Sequence, residues 1–346
     1  MIEYLPQFDK KNEYFLFQYE DIPQDNKYYS YVPIRSSKLP RQIYEHYWLN
    51  FVVPKHLSEL KIDIFFTPYI FVPFIKHNWK NVIAIHDSLT KICKKYYSFH
   101  YRKYLDLLVP PSVSRSDAII TVSKSAMEDL IKYYDVNPQK IRYLYHWTND
   151  NYKPLELSLN EKKGLMEKYG LPEKFILFVS VLEERKNITG IMKVYDILLK
   201  RGIDINIVFV GREGFGFEKI ADEFQSNSDR FIHLKDVDDE DLARIYNLAT
   251  IFFFPTHYEG FGIPPLEALK CGLPVIASNN SSLPEVVGDG GILGDADDYE
   301  FFADKIILLL KDQNYYTSLK QKAIKQAEKF TAENHIKKLV NIFNSL

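Results

Sequence analysis

IFFFPTHYEGFGIPPLEALKCGLPVIAS, residues 251–278, opens on four apolar residues, Ile251-Phe252-Phe253-Phe254, closed by Pro255. A short, unalternated apolar run bounded by proline reads as a strand buried on both faces. The loop His257-Tyr258-Glu259-Gly260-Phe261-Gly262 follows. Pro264 and Pro265 then stand where a helix begins, since proline has no N–H to waste in a first turn. Leu266, Ala268 and Leu269 carry the helix on, Gly272 ends it, and 274–278 reads as a second buried strand. Strand, glycine-bearing loop and helix N-terminus present backbone N–H groups and the positive end of a helix dipole to an anion. Gly260 and Gly262 let a ligand approach the backbone. Glu267 is expected in the first helical turn, where an acid also serves simply to satisfy the helix's own N–H groups.

Outward from this stretch, strands and helices alternate. The second half reads as strands at 175–182, 205–210 and 231–234, with helices at 188–201 and 239–248. Asn187 is placed to cap the first of these helices and Gly202 to end it. Three further helices, at 299–310, 315–330 and 332–343, close the chain. The first half reads as strands at 14–17, 62–67, 82–86, 118–122 and 141–145, with helical stretches near 40–51, 100–116 and 124–134. Such alternation argues mostly parallel sheets covered by helices. Residues 149–160, with Pro154 and no periodicity, read as a linker. No G-x-G-x-x-G opens the first half, which counts against a dinucleotide-dependent dehydrogenase.

A chain of 346 residues has room for two α/β domains. Hydrophobic residues at 46% and charged residues at 26% fit a globular protein with full cores, and 25 Tyr with 24 Phe are the unusual feature. There is no apolar run long enough to span a bilayer and no signal-peptide pattern at the N-terminus. Cys93 and Cys271 stand far apart in unrelated contexts, so neither a disulfide framework nor a zinc site is indicated, and a reducing cytoplasm is expected. The net charge of −2 is uneven: Lys and Arg exceed Asp and Glu by four over 1–150 and fall short by six over 151–346. The basic half fits an anionic or membrane-surface partner on that side, but no nucleic-acid motif accompanies it.

The two glutamates at 259 and 267, with Gly-Phe-Gly after the first and Pro-Leu before the second, resemble the nucleotide-sugar motif of glycosyltransferase family 4. GLPVIAS at 272–278, LPEVVG at 283–288 and Gly290-Gly291 match that family's run in order. The resemblance implies an α/β GT-B fold of two Rossmann-like domains facing across a cleft. An acceptor-side domain would occupy 1–150 and a nucleotide-sugar-binding domain 151–330, with 331–346 a helix returning to the first. It implies that Glu259 faces the donor sugar, close to Gly260 and the amides of Phe261, Gly262 and Ile263, and that Glu267 accepts from the ribose hydroxyls. Leu182-Glu183-Glu184-Arg185-Lys186-Asn187 is similar to the family's diphosphate loop, making Arg185 and Lys186 the cations of that site. Many members carry Gly-Arg where Ser180-Val181 stand here, so Arg185 is expected to substitute for the absent arginine. Val237 aligns with the loop that holds the base through its backbone. His86, of His86-Asp87, would lie near the reacting centre, giving His86, Lys186 and Glu259 as the catalytic set.

Each cluster also follows a strand, where ligands of open parallel sheets bind. Arg fits a diphosphate as a fork and Lys as a point charge, though a solvated loop carries the same residue pair. His86 reads equally as a structural histidine at a strand end and Asp87 as a loop cap. Asp236-Val237-Asp238 spells the metal-binding Asp-x-Asp of the other large glycosyltransferase fold. The same residues fit a loop and a helix N-terminus, so no metal is expected. Residues 91–104 set Lys91, Lys94, Lys95, Arg102 and Lys103 among five aromatics. They offer a docking face for a lipid-linked acceptor or a membrane surface, or else a solvated loop beside the acceptor cleft.

The expected activity is therefore retaining, metal-independent transfer of a hexose-type sugar from a UDP- or GDP-linked donor to a hydroxyl of a glycan or lipid-linked acceptor. No cofactor beyond that donor is expected, and the location expected is cytoplasmic, with peripheral membrane contact through 91–104. Members of the family begin with a strand and a Gly-rich loop, whereas this chain starts near what would be the second strand, so a truncated N-terminus, or another segment or a partner chain filling that place, is a second expectation. With it come two alternatives: a weakly active or inactive partner subunit that binds nucleotide sugar or acceptor, and a nucleotide-sugar hydrolase or epimerase. Lys186, in a polar loop, is expected to be replaceable without harm to the fold.

Overall fold

The computed structural model describes residues 1–19, 28–34, 41–75 and 77–346. Among them, three sheets form, all of parallel pairs. β1 (Tyr14–Tyr19) pairs only with β2 (Tyr29–Ile34). β3 (Ile64–Thr67), β4 (Lys80–Ala84), β5 (Ala118–Thr121) and β6 (Ile141–Tyr143) make a four-stranded sheet in chain order. β7 (Phe175–Val179), β8 (Asn206–Val210), β9 (Phe231–Leu234), β10 (Ile251–Phe254), β11 (Val275–Ser278) and β12 (Gly291–Gly294) make a six-stranded sheet ordered β12-β11-β10-β7-β8-β9.

The larger sheet is explained by its apolar runs. Phe175 to Val179 and Ile251 to Phe254 are buried throughout, as strands covered on both faces must be. Phe178 stacks on Phe254 with ring centroids 5.6 Å apart. The order also creates a switch point. From β7 the chain builds outward through β8 and β9, while β10, β11 and β12 build the other way, so β7 and β10 are neighbours with diverging connections. Ligands of such sheets sit beyond the carboxyl ends at that crevice. The loops leaving β7 and β10 are those that carry Arg185-Lys186 and Glu259.

The first-half sheet is closed by the end of the chain. Ile336, Leu339, Val340 and Phe343, on the helix Ala332–Asn344, share one core with Val82, Ala118, Ile120 and Leu144. The crossing helix thus belongs to the first domain's core, as the resemblance implied.

Four local expectations change. The strand read at 14–17 is β1, in its own two-stranded sheet rather than the domain's main one. The helix read near 40–51 runs Arg41–Tyr47 and continues through a π turn, Trp48–Val52, into Val53–Glu59; Pro40 lies outside the described residues. The linker stops at Ser158, because Ser158 and Glu161 cap the helix Leu159–Tyr169 reciprocally: the Glu161 N–H donates to Ser158 Oγ at 3.3 Å, and the Ser158 N–H to Glu161 Oε2 at 2.8 Å. Glu267 is not in a first turn: its helix starts at Ile263, and the carboxylate points to other partners.

Candidate active site

The loop after β7 tightens into a short turn, Glu184–Lys186, and Asn187 takes a left-handed φ of 58°. Its side chain caps the following helix, accepting from Gly190 N at 3.1 Å, and donates to Pro255 O at 3.0 Å and Ala296 O at 2.9 Å. Those bonds tie the β7 loop to the β10 loop. Arg185 and Lys186 are consequently buried, 8% and 7% exposed, and not in a solvated loop. Lys186 Nζ lies 2.7 Å from Glu259 Oε1 and over the Phe254 ring. Arg185 Nη1 lies 3.4 Å from the same oxygen; its guanidinium also bonds the Tyr258 carbonyl and the Glu183 carboxylate. Two cations and two carboxylates, Glu183 and Glu259, are thus packed together at the switch point, and removing Lys186 cannot leave the fold untouched.

Glu259 is held by its backbone as well. Its N–H donates to Ser281 Oγ at 2.9 Å, and Ser282 Oγ donates to Glu259 O at 3.0 Å and to Phe261 O. Gly262, at φ 113°, turns the chain into the helix Ile263–Lys270; Pro264 and Pro265 carry no N–H and Leu266 N–H donates to Gly262 O at 3.2 Å, so the first turn offers an anion the amide of Ile263. Glu267 sits deeper. Tyr246 OH donates to its Oε2 at 2.8 Å, Tyr152 adds a second bond, and burial pushes its carboxyl up to about 7.

The first domain meets this loop closely. A side chain at Gly260 would come within 3.0 Å of His86 O and 3.1 Å of Asp87 Cβ. Burial holds the His86 ring below its ordinary pKa and raises that of Asp87. Asp87 Oδ1 accepts from Leu89 N at 2.9 Å, so the loop-cap reading holds for one of its oxygens. The His86 ring stacks at 5.5 Å on His146, which stacks at 6.2 Å on His335 of the crossing helix and meets Phe261 edge-on. Burial and the two neighbouring histidines push His146 down to about 4, so this column is uncharged at neutral pH.

The structure therefore brings His86, Arg185, Lys186, Glu259, Gly260 and Phe261 to one crevice, with Gly262, Ile263 and Glu267 on its β10 side. Val237 follows β9 at the same edge of the six-stranded sheet, half-buried against the second domain's core. Its neighbours follow the capping reading: Asp238 Oδ1 accepts from Asp241 N at 2.9 Å, and Asp236 pairs with Arg212. Residues 91–104 form two short turns and the start of the helix Phe99–Arg115. Lys95 lies 3.6 Å from Glu184, and burial, with Asp87 nearby, raises the Tyr97 hydroxyl, so this segment borders the crevice. Sequence reasoning missed His146, although it follows β6 much as His86 follows β4. It also missed Ser123, Asp129 and Tyr145, whose partners come from the other half of the chain.

Two Rossmann-like domains with a switch-point crevice between them define the GT-B architecture. The chain belongs to glycosyltransferase family 4: the model described as "Glycosyltransferase Family 4" matches residues 4–152, and that described as "Glycosyl transferases group 1" matches residues 162–326. It is 31% identical over 264 residues to the serotype-specific mannosyltransferase WbdA of Escherichia coli, covering 74% of this chain and 32% of that protein. It therefore spans about a third of the length of that relative. To O-antigen chain mannosyltransferase B of Escherichia coli it is 28% identical over 295 residues, covering 84% of this chain and 76% of the other. In fold it is similar to sucrose-phosphate synthase from Thermosynechococcus elongatus, with a TM-score of 0.73 at 18% identity over 96% of this chain and 88% of that one.

Proposed function

We propose that this chain transfers a hexose from a nucleotide-diphosphate sugar to a hydroxyl of a glycan or lipid-linked acceptor, with retention at the anomeric carbon and without a metal ion. The observation that carries the reading is the buried cluster Arg185, Lys186 and Glu259 at the switch point, closed over by His86-Asp87. Negative charge grows on the diphosphate as the glycosidic bond breaks. Fixed cations and the Ile263 N–H would stabilise that charge without reorganising. Neutral His86 would position the sugar. The acceptor hydroxyl would attack from the leaving-group side and give its proton to the departing phosphate, so Glu259 is not required as a nucleophile.

The names of the Escherichia coli relatives favour mannose as the sugar. The acceptor fits a cavity of about 490 Å³ in the first domain, lined by Trp48, Tyr69, Phe71, Tyr101 and Tyr104 with His46. Tyr69 and Phe71 follow β3, one strand from the β4 end that carries His86, so the cavity opens at the same edge of the sheet. Peripheral membrane contact through 91–104 remains part of the proposal; among the described residues no helix is long and apolar enough to cross a membrane.

Incubating the purified chain with GDP-mannose or UDP-glucose, with and without a mannoside acceptor, tests the reading. Product with the donor's anomeric configuration, formed equally with Mg²⁺ or EDTA, is expected. Nucleotide release independent of acceptor would make the chain a hydrolase, and binding without turnover a partner subunit.

A further inference from the structure

The helix Lys124–Tyr134 has no acid in its own first turn, yet its N-terminal donors are all satisfied. Ser123 Oγ accepts from Ala126 N at 3.0 Å, and Met127 N bonds Ser123 O. The two remaining donors, Lys124 N and Ser125 N, go to Glu285 Oε2 at 2.8 Å and Oε1 at 2.7 Å. Glu285 is 160 residues away, on the short helix Leu283–Val287 of the other domain. Tyr145 OH donates to the same carboxylate at 3.0 Å. A carboxylate gripping both first N–H groups is a charge-assisted, bidentate contact at the positive end of a helix dipole.

The contact is tied directly to the donor-sugar loop. Ser281 and Ser282, just before Glu285, hold the backbone of Glu259 and Phe261. The same Ser123 hydroxyl that caps the helix donates to Gly260 O at 2.7 Å, and Tyr258 OH donates to Asp129 Oδ2 on the helix at 2.6 Å. Residues 258–261 are therefore pinned from both sides, by serines of their own domain and by one helix of the other. Opening the cleft breaks this set together.

We propose that Glu285 is a positioning residue: by docking on the helix Lys124–Tyr134 it sets the distance between Glu259 and His86 at which sugar transfer occurs. This rests on the transferase reading. Glu285 faces no substrate atom in the proposal and acts through the 259–261 loop. The nucleotide half of the donor site, built from Arg185, Lys186 and Glu267, lies in the second domain, and its contacts with Tyr258 and Glu259 are made within that domain. Loss of the dock should consequently reach turnover and spare nucleotide affinity, because misplacement of reacting groups by an ångström is enough to slow chemistry on the order of a hundredfold.

The experiment compares Glu285→Ala and Glu285→Gln with the parent by amide exchange, small-angle scattering, GDP and UDP titration, and turnover of GDP-mannose. In E285A, exchange at Lys124 and Ser125 is expected to rise on the order of tenfold or more, as for loss of a charge-assisted bond. β7 should keep its protection, the radius of gyration should rise, kcat should fall at unchanged nucleotide affinity, and Gln should restore part of each effect. Unchanged exchange at Lys124 and Ser125 overturns the proposal. So does a uniform rise that includes β7, which would mark Glu285 as merely structural. If the parent itself transfers no sugar, the transferase reading fails, and exchange and scattering still decide whether Glu285 holds the domains together.

Discussion

Lys186 Nζ and Glu259 Oε1 are 2.7 Å apart, both side chains about one-tenth exposed, so the proposed diphosphate cation is neutralised by the proposed sugar carboxylate. Breaking a buried pair from one side leaves an uncompensated charge and costs about 3–5 kcal/mol. Arg185, 3.4 Å from the same oxygen, should hold the loss for Lys186→Ala near about 3 kcal/mol. The double variant K186A/E259A should lose less than the two single variants added. Urea denaturation of the three variants checks this, and additivity would show that the pair is uncoupled. Turnover of K186A should also fall by about a hundredfold, the effect of losing one preorganised electrostatic group.

Glu259→Ala separates the two halves of the donor. Without the carboxylate, Lys186 and Arg185 lose their competitor for the diphosphate, so GDP or UDP should bind at least as tightly as to the parent. Sugar transfer should fall, because the group facing the hexose is gone. Calorimetric titration beside a transfer assay measures both. Weaker nucleotide binding with intact transfer would exchange the assignments of Glu259 and Glu267.

Glu267 gives a pH dependence with a definite sign. Its folded carboxyl is raised by burial to about 7, above its ordinary value of 4.5. A raised acid favours the folded state while protonated, so this contribution is full below about pH 4.5 and is lost as pH rises through 7. The span is on the order of 3 kcal/mol. Glu267→Gln keeps an acceptor for Tyr246 and removes the proton, so the unliganded variant should be no less stable than the parent at pH 8. Its affinity for GDP or UDP should still fall, by about 1.5–3 kcal/mol, if a ribose hydroxyl needs the charged acceptor. Thermal melts from pH 5 to 8 with parallel titrations check both, and a variant less stable at pH 8 with normal affinity would assign Glu267 to the fold alone.

Much of this site was legible because strand ends are. The runs 175–179 and 251–254 are apolar without alternation and end at proline or a polar cluster, so the loops carrying Arg185, Lys186 and Glu259 were located from local pattern alone. What those loops do to each other was not legible. Lys186 looked like a surface residue because its burial depends on Asn187 reaching Pro255 and Ala296, contacts 68 and 109 residues apart. Glu267 looked like a first-turn acid because Pro264 and Pro265 mark the helix start only to within a residue or two, and its tyrosine partners lie at 152 and 246. Glu285 stood in a quoted motif without a role, since the two N–H groups that it meets belong to a helix of the other domain.

Gly260 tests whether the approach of the two domains matters for turnover. Its φ is not in the left-handed region, so alanine meets no backbone strain of its own there. The obstacle lies across the cleft: a methyl group would come within 3.0 Å of His86 O and 3.1 Å of Asp87 Cβ, and one loop must yield by a few tenths of an ångström. Gly260→Ala should therefore keep nearly the parent's melting temperature and nucleotide affinity while losing on the order of tenfold or more in kcat, because only the distance between the sugar loop and His86 has changed. Gly262→Ala should lose stability as well, since its φ of 113° strains any L residue and costs about 1–3 kcal/mol. Melting curves, GDP and UDP titrations and steady-state rates of both variants decide between the two effects. Normal turnover in G260A would mean that His86 and the 259–262 loop need not meet as closely as they do here, and would remove His86 from the catalytic set.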